Sequence, residues 1–130
     1  MSTNLNLAPG VKEIASREAE LFLNEVNGVT AVVVASIDGF DIAAAMKHGD
    51  AARVAAMASS ISAIGSVVSQ EANLGRSKSV TINTESGFAM VYAVHRTDAE
   101  LIVNVIADGN AILAQVAYRA AEFSRTLANI

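Results

Sequence analysis

The sequence predicts an α/β fold of the α+β type: a three-layer α/β/α sandwich on a five-stranded antiparallel sheet of order 2-1-5-4-3, with topology α-β-β-α-β-β-β-α. Three observations carry that expectation. The stretch "TAVVVASIDGFDIAAAM", Thr30 to Met46, holds an unbroken apolar run from Ala31 to Ala35, an Asp-Gly pair and a second apolar run. A long segment rich in alanine and serine follows from Ala51 to Leu74. Three short strand-like runs then come in close succession between Lys78 and Ala107.

Each element has its own local reason. Pro9 suits the first turn of a helix, where its missing N–H costs little. Val11, Ala15, Ala19, Phe22, Leu23 and Val26 then recur at helical spacing, with Lys12, Glu13, Arg17 and Glu18 outside that stripe. Asn27-Gly28 tolerates left-handed backbone and ends the helix. Val29–Ile37 and Phe40–Met46 read as two antiparallel strands. Asp38-Gly39 is the pair that a two-residue type I′ turn prefers, since both central residues need positive φ.

Gly49-Asp50 breaks the run and offers an N-cap to the middle helix. Along that helix Val54, Met57, Ala58, Ile61, Ile64, Gly65 and Val68 form one apolar stripe, the face a helix lays on a sheet. Ala52, Ala56, Ser59, Ala63, Ser66 and Gln70 form a second, softer face. Asn73 and Gly75 supply the stop.

Lys78–Thr84 alternates as a strand does, with Val80 and Ile82 on one face. Glu85-Ser86-Gly87 turns the chain into Phe88–Val94, and Leu101–Ala107 closes the meander. Asp108-Gly109-Asn110 reads as the cap of a last helix, in which Ile112, Val116, Ala120, Phe123 and Leu127 repeat close to the helical period. The first and fifth strands are the most continuously apolar and belong in the middle of the sheet. The second and third belong at its edges. The first and last helices then share one face, and the middle helix covers the other. Residues 1–130 read as a single domain with a flexible lead at 1–8.

Composition narrows the function classes. Hydrophobic residues make up 52% of the chain but aromatics only 5%, and alanine fills 25 positions. Such a core implies thin layers and argues against a deep aromatic pocket for a flat cofactor, so no cofactor is expected. The net charge is −4, and the nine basic residues are scattered, which speaks against nucleic acid as a partner. With no cysteine there is no disulfide, thiolate nucleophile or zinc-thiolate site. "MSTNLNLAPG" lacks the basic and apolar regions of a secretory signal. No apolar stretch reaches the length expected of a bilayer span, so no membrane insertion and a cytoplasmic location are expected.

"GVTAVVVASIDGFDIAA" (Gly28–Ala44), followed by a long small-residue helix and three strands, resembles the roadblock domain. That family includes dynein light chains, Ragulator-type scaffolds and bacterial regulators of Ras-like GTPases. The likeness in element order runs roughly from Val11 to Leu127. It implies a non-enzymatic module that homodimerises and binds a small Ras-like GTPase, alone or within a kinase-containing assembly. In such domains the middle helix and third strand pair with their counterparts in a second subunit. An exposed edge strand is independently a pairing surface, and here only Lys78 blunts it. The residues so implicated are Ala52, Ala56, Ser59, Ala63, Ser66 and Gln70 on the helix, with Lys78, Val80, Thr81 and Ile82 on the strand. Whether dimers assemble further stays open.

Chemistry-bearing residues give little reason to expect catalysis. Asp38 and Asp41 are spaced for acid–base work, but Asp38 serves the turn and Asp41 faces solvent on the simplest reading. His48 and His95 belong to no two-ligand metal motif. Ser59, Ser60, Ser62, Ser66 and Ser69 lie on a helix without a Gly-x-Ser-x-Gly elbow. "LGRSKS" (Leu74–Ser79) leads into a strand, so no helix N-terminus cradles a phosphate there. Arg53 and Arg76 flank the middle helix. An arginine given to a GTPase accelerates hydrolysis by about a thousandfold or more, although arginines at helix ends are ordinarily solvated. A different class of function is a sensory module of the PAS, GAF or profilin-like kind, holding a metabolite inside the sheet.

Overall fold

The computed structural model describes residues 6–130. The elements are α1 (Val11–Glu25), β1 (Val29–Ser36), β2 (Asp41–Met46), α2 (Ala51–Glu71), β3 (Ser79–Thr84), β4 (Gly87–His95), β5 (Glu100–Asp108) and α3 (Leu113–Asn129). The sheet is antiparallel throughout, in the order β2-β1-β5-β4-β3, as the apolar content of the strands predicts. Of the expected lead, residues 1–5 lie outside the described residues. Leu7 packs against the main core, and the Ala8 N–H donates to Asp98 Oδ2 at 2.9 Å.

The larger core lies between the sheet and the α1/α3 layer. Phe22 of α1 and Phe123 of α3 meet edge to face, with centroids 6.3 Å apart, over Val32, Val34, Val103 and Val105. The other face carries only small clusters, Val33, Ala35, Val54 and Ala55 in one and Ala58, Val91 and Ile102 in another. Asn104, opposite Val33 and Val91, is buried in this thin layer. Its Nδ2 donates to the Val54 carbonyl of α2 at 3.4 Å, and its Oδ1 has no partner among the described residues.

Four local expectations need correction. The β1–β2 connection is one residue longer than a type I′ pair. Ser36 and Phe40 close it through a 2.9 Å bond, and of the turn residues only Gly39 has positive φ, at 94°. A three-residue loop with its last residue left-handed spares Asp38 that conformation. Pro9 stands outside α1, whose N-cap is Gly10. Asp108 does not cap α3, because its Oδ1 accepts from the Asn110 N–H and makes a turn, and α3 starts from Ile112. The fourth correction concerns α2. At 21 residues, with a mean hydropathy of 1.5 over its most apolar window, it reaches the length and composition of a bilayer-crossing helix. Here it lies on the sheet, held at its start by Asp50, whose carboxylate accepts from the Ala52 N–H at 3.0 Å.

The face that α2 lays on the sheet takes only one edge of the expected stripe, Val54, Ala58 and Gly65, and adds Ala55. Val54, Ala55, Ala58 and Gly65 are buried, whereas Met57, Ile64 and Val68 are 50%, 63% and 55% exposed. Close approach explains the exchange. A Cβ on Gly65 would sit 2.8 Å from Val80 Cγ2, so the layer spacing admits only small side chains on the underside.

Candidate partner interface

β3 bonds to β4 on one side and forms the edge of the sheet on the other. All its residues are exposed except Val80, which is half-buried. Side chains alternate across a strand, and Val80 lies against Gly65 of α2, so Val80 and Ile82 share the α2 face. Ile82 is 41% exposed there. Ser79, Thr81 and Asn83 take the opposite face. Lys78 precedes the strand, and its carbonyl accepts from the Ala93 N–H at 3.0 Å.

Spacings of seven and four place Met57, Ile64 and Val68 along one line of α2, all exposed. Val67 and Leu74 are exposed as well. An edge strand with free N–H and C=O groups thus stands beside a helix with large apolar side chains in solvent. Both features are what a partner protein covers.

The softer face lies on the other flank of α2. Ala52, Ala56, Ala63, Ser66 and Gln70 are placed there, all of them exposed. Ser59 is half-buried and donates from Oγ to the Ile37 carbonyl at 2.7 Å, tying the helix to the β1–β2 connection. Gly39, in that connection, lies so close to α2 that a Cβ would sit 3.4 Å from Ala56 Cα. Further along, Ser62, Ser66, Ser69 and Gln70 line a cavity of about 550 Å³, with Leu101 and Ile102 of β5 also in its wall. The large residues Met57, Ile64 and Val68 are absent from the interface expected from sequence. The available signal was a helix apolar on more than one face, which implies more than one covered face.

The remaining candidates do not converge. Asp38, Asp41 and His48 are exposed in or beside the ends of β2, and Arg53 is exposed at the start of α2. His95 Nδ1 lies 3.2 Å from Glu100 Oε1 at the end of β4. Among the described residues, no three or more of His, Cys, Asp or Glu group as metal ligands. Burial pushes the Tyr92 phenol upward, against a smaller lowering by Ser79, and the phenol donates to the Ala117 carbonyl at 3.2 Å, fixing α3 on β4.

The family model of the Roadblock/LC7 domain matches residues 17–103, from within α1 to within β5. The chain belongs to the Roadblock/LC7 domain family. Its fold extends beyond the matched segment in both directions. The Roadblock/LC7 domain from Streptomyces avermitilis superposes with a TM-score of 0.77 at 20% identity, covering 86% of this chain and 92% of that one. The gliding protein MglB from Thermus thermophilus gives 0.82 at 17% identity, over 98% and 96% of the two chains. An MglB described with a tetrameric arrangement gives 0.80 at 18% identity, over 98% and 95%. At these identities the likeness is one of fold. No curated protein sequence matches the chain.

Proposed function

We propose that this roadblock domain is a non-enzymatic, cytoplasmic homodimeric module that binds a small Ras-like GTPase and regulates or localises it. The observation that carries the reading is the free edge of β3 beside the exposed apolar line of α2. One two-fold axis perpendicular to the sheet pairs both at once and makes a ten-stranded sheet. It keeps both α2 helices on one face, so residues opposite each other across the β3 pair must share a face. With the axis at Thr81, Val80 of one copy stands opposite Ile82 of the other, an apolar pair on each side of the axis. The two helices then form a platform for the GTPase, with the softer flank of Ala52, Ala56, Ala63, Ser66 and Gln70 beside the new interface. The MglB with a tetrameric arrangement and the family's regulators of Ras-like GTPases support assembly of this kind.

The test is solution mass by light scattering, on wild type beside Ile64→Glu/Val68→Glu and Ala56→Glu/Ala63→Glu. A wild-type mass of twice the chain or more, with folded monomer from the first pair, supports pairing through the apolar line. Monomer from the second pair alone moves the interface to the softer flank. A wild-type monomer at high concentration sinks the dimer. Capture of a Ras-like GTPase from the same organism, dependent on its nucleotide, then decides the partner.

A further inference from the structure

A second cavity, of about 630 Å³, is bounded by the α2–β3 connection, the end of β4 and the outer half of α3. Its charged lining is Arg76 and Lys78 from the connection and Arg125 from α3, with His95 beside them. Ser77, Tyr92 and Ser124 also line it, the Tyr92 and Ser124 hydroxyls donating to the carbonyls of Ala117 and Ala120, and no Asp or Glu is among the described residues that do. That is unusual in a chain with 13 acidic and 9 basic residues.

The other arginines of the α3 side are neutralised. Arg96 is paired with Asp98, and Arg119 with Glu25 and Glu122. Among the described residues, Arg76, Lys78 and Arg125 have no carboxylate within ion-pair distance. Glu100, which pairs with His95, lines the neighbouring cavity under α2. Three cations around one concave space repel one another, and an anion entering that space relieves the repulsion. Guanidinium forks match phosphate oxygens two at a time, and a lysine adds a compact charge. Leu74, Ala93 and Ala121 give the same space an apolar wall, and its volume suits a small molecule and not a bare ion alone.

We propose that this cavity binds a small phosphorylated molecule, its phosphate held by Arg76, Lys78 and Arg125 and its body against Leu74, Ala93 and Ala121. All of its lining residues come from one chain, and two of them, Leu74 and Lys78, adjoin the surface proposed to meet a second copy. Because Arg76 and Lys78 directly precede β3, an occupied cavity holds the connection that leads into the edge strand.

Pyrophosphate titrated into the full chain at low salt, followed by ¹H–¹⁵N NMR, tests the site. The expected result is saturable shifts at the amides of Ser77, Lys78, Ser124 and Arg125. The affinity falls about tenfold or more in Arg76→Gln/Arg125→Gln, with folding checked by circular dichroism. Arg17→Gln removes one charge from α1, remote from the cavity lining, and leaves the affinity within about twofold. Should the double variant unfold, Lys78→Gln replaces it, with an expected loss of about threefold. No saturable shift, shifts at basic residues throughout the chain, or an equal loss in Arg17→Gln overturns the site. Co-sedimentation with vesicles containing a phosphatidylinositol phosphate, without response to pyrophosphate, overturns it in favour of a lipid headgroup.

Discussion

Arg96, on the β4–β5 connection, ties that turn to the end of α3. Its Nε and Nη2 donate to the two oxygens of Asp98, each at 2.8 Å, and its Nη1 donates to the carbonyls of Leu127 and Ile130 at the end of α3. Those carbonyls are among the unpaired ends that every helix leaves, so the arginine caps α3 from outside. Asp98 also accepts from the Ala8 N–H and so holds the approach to α1. The Arg96 hydrogen bonds, then that of Ala8, hold the Asp98 carboxyl well below the usual carboxylate range. A folded value below the unfolded one means that the ionised form contributes stability at neutral pH. That contribution is fully present above the unfolded value, about 3.9, and disappears as the pH falls through the folded one. Asp98→Asn abolishes this dependence. Between about pH 4 and pH 2 the wild-type urea midpoint therefore falls more steeply than that of the variant, and parallel slopes would remove Asp98 as the cause. The Arg96–Asp98 pair is local to "HRTDAE", but what it ties together was not visible there, because Ala8, Leu127 and Ile130 lie 31 to 90 positions away.

At the scale of the element, α2 separates what a sequence pattern can and cannot reveal. Its start, its length to within a turn and its Asp50 cap follow from local chemistry. Its orientation does not, because apolar residues occur around most of its circumference and periodicity then points nowhere in particular. The layer spacing decides. Gly65 is buried against Val80 and Ser77, and a Cβ there would lie 2.8 and 2.9 Å from their side chains. Gly65→Val therefore forces α2 away from β3 and lowers stability by about 1–3 kcal/mol, read as a lower urea midpoint. A raised midpoint would mean that helix propensity, worth about 1 kcal/mol against glycine, outweighs the clash. The β1–β2 turn teaches the same lesson on a smaller scale. Asp38-Gly39 marks a reversal, but the Ser36–Phe40 bond sets the loop length and leaves only Gly39 of the turn left-handed.

For the whole molecule, the two faces of the sheet are unequal. The α1/α3 face holds the aromatic pair and the larger core, while the α2 face is thin and leaves large apolar side chains in solvent. A chain stabilised by pairing on that second face has a melting temperature that rises with protein concentration. Calorimetry over a hundredfold range of concentration should show a rise of several degrees. The rise should be lost in Ile64→Glu/Val68→Glu, and a concentration-independent midpoint in wild type would mean that the monomer carries its own stability.

The sequence by itself determined the kinds of element, their order, the sheet order and the family resemblance. Each rests on short-range patterns: apolar runs for the central strands, Asp-Gly for the reversal and the 3.6-residue stripe for α1 and α3. Only the tertiary structure decided which side of α2 meets the sheet, which large apolar side chains it leaves exposed, and which distant cations meet in one cavity. The physical reason is steric and electrostatic. Layer spacing is set by Gly65, Ala55 and Ala58 on the underside of α2, and the grouping of Arg76, Lys78 and Arg125 depends on where the connection and α3 come to lie.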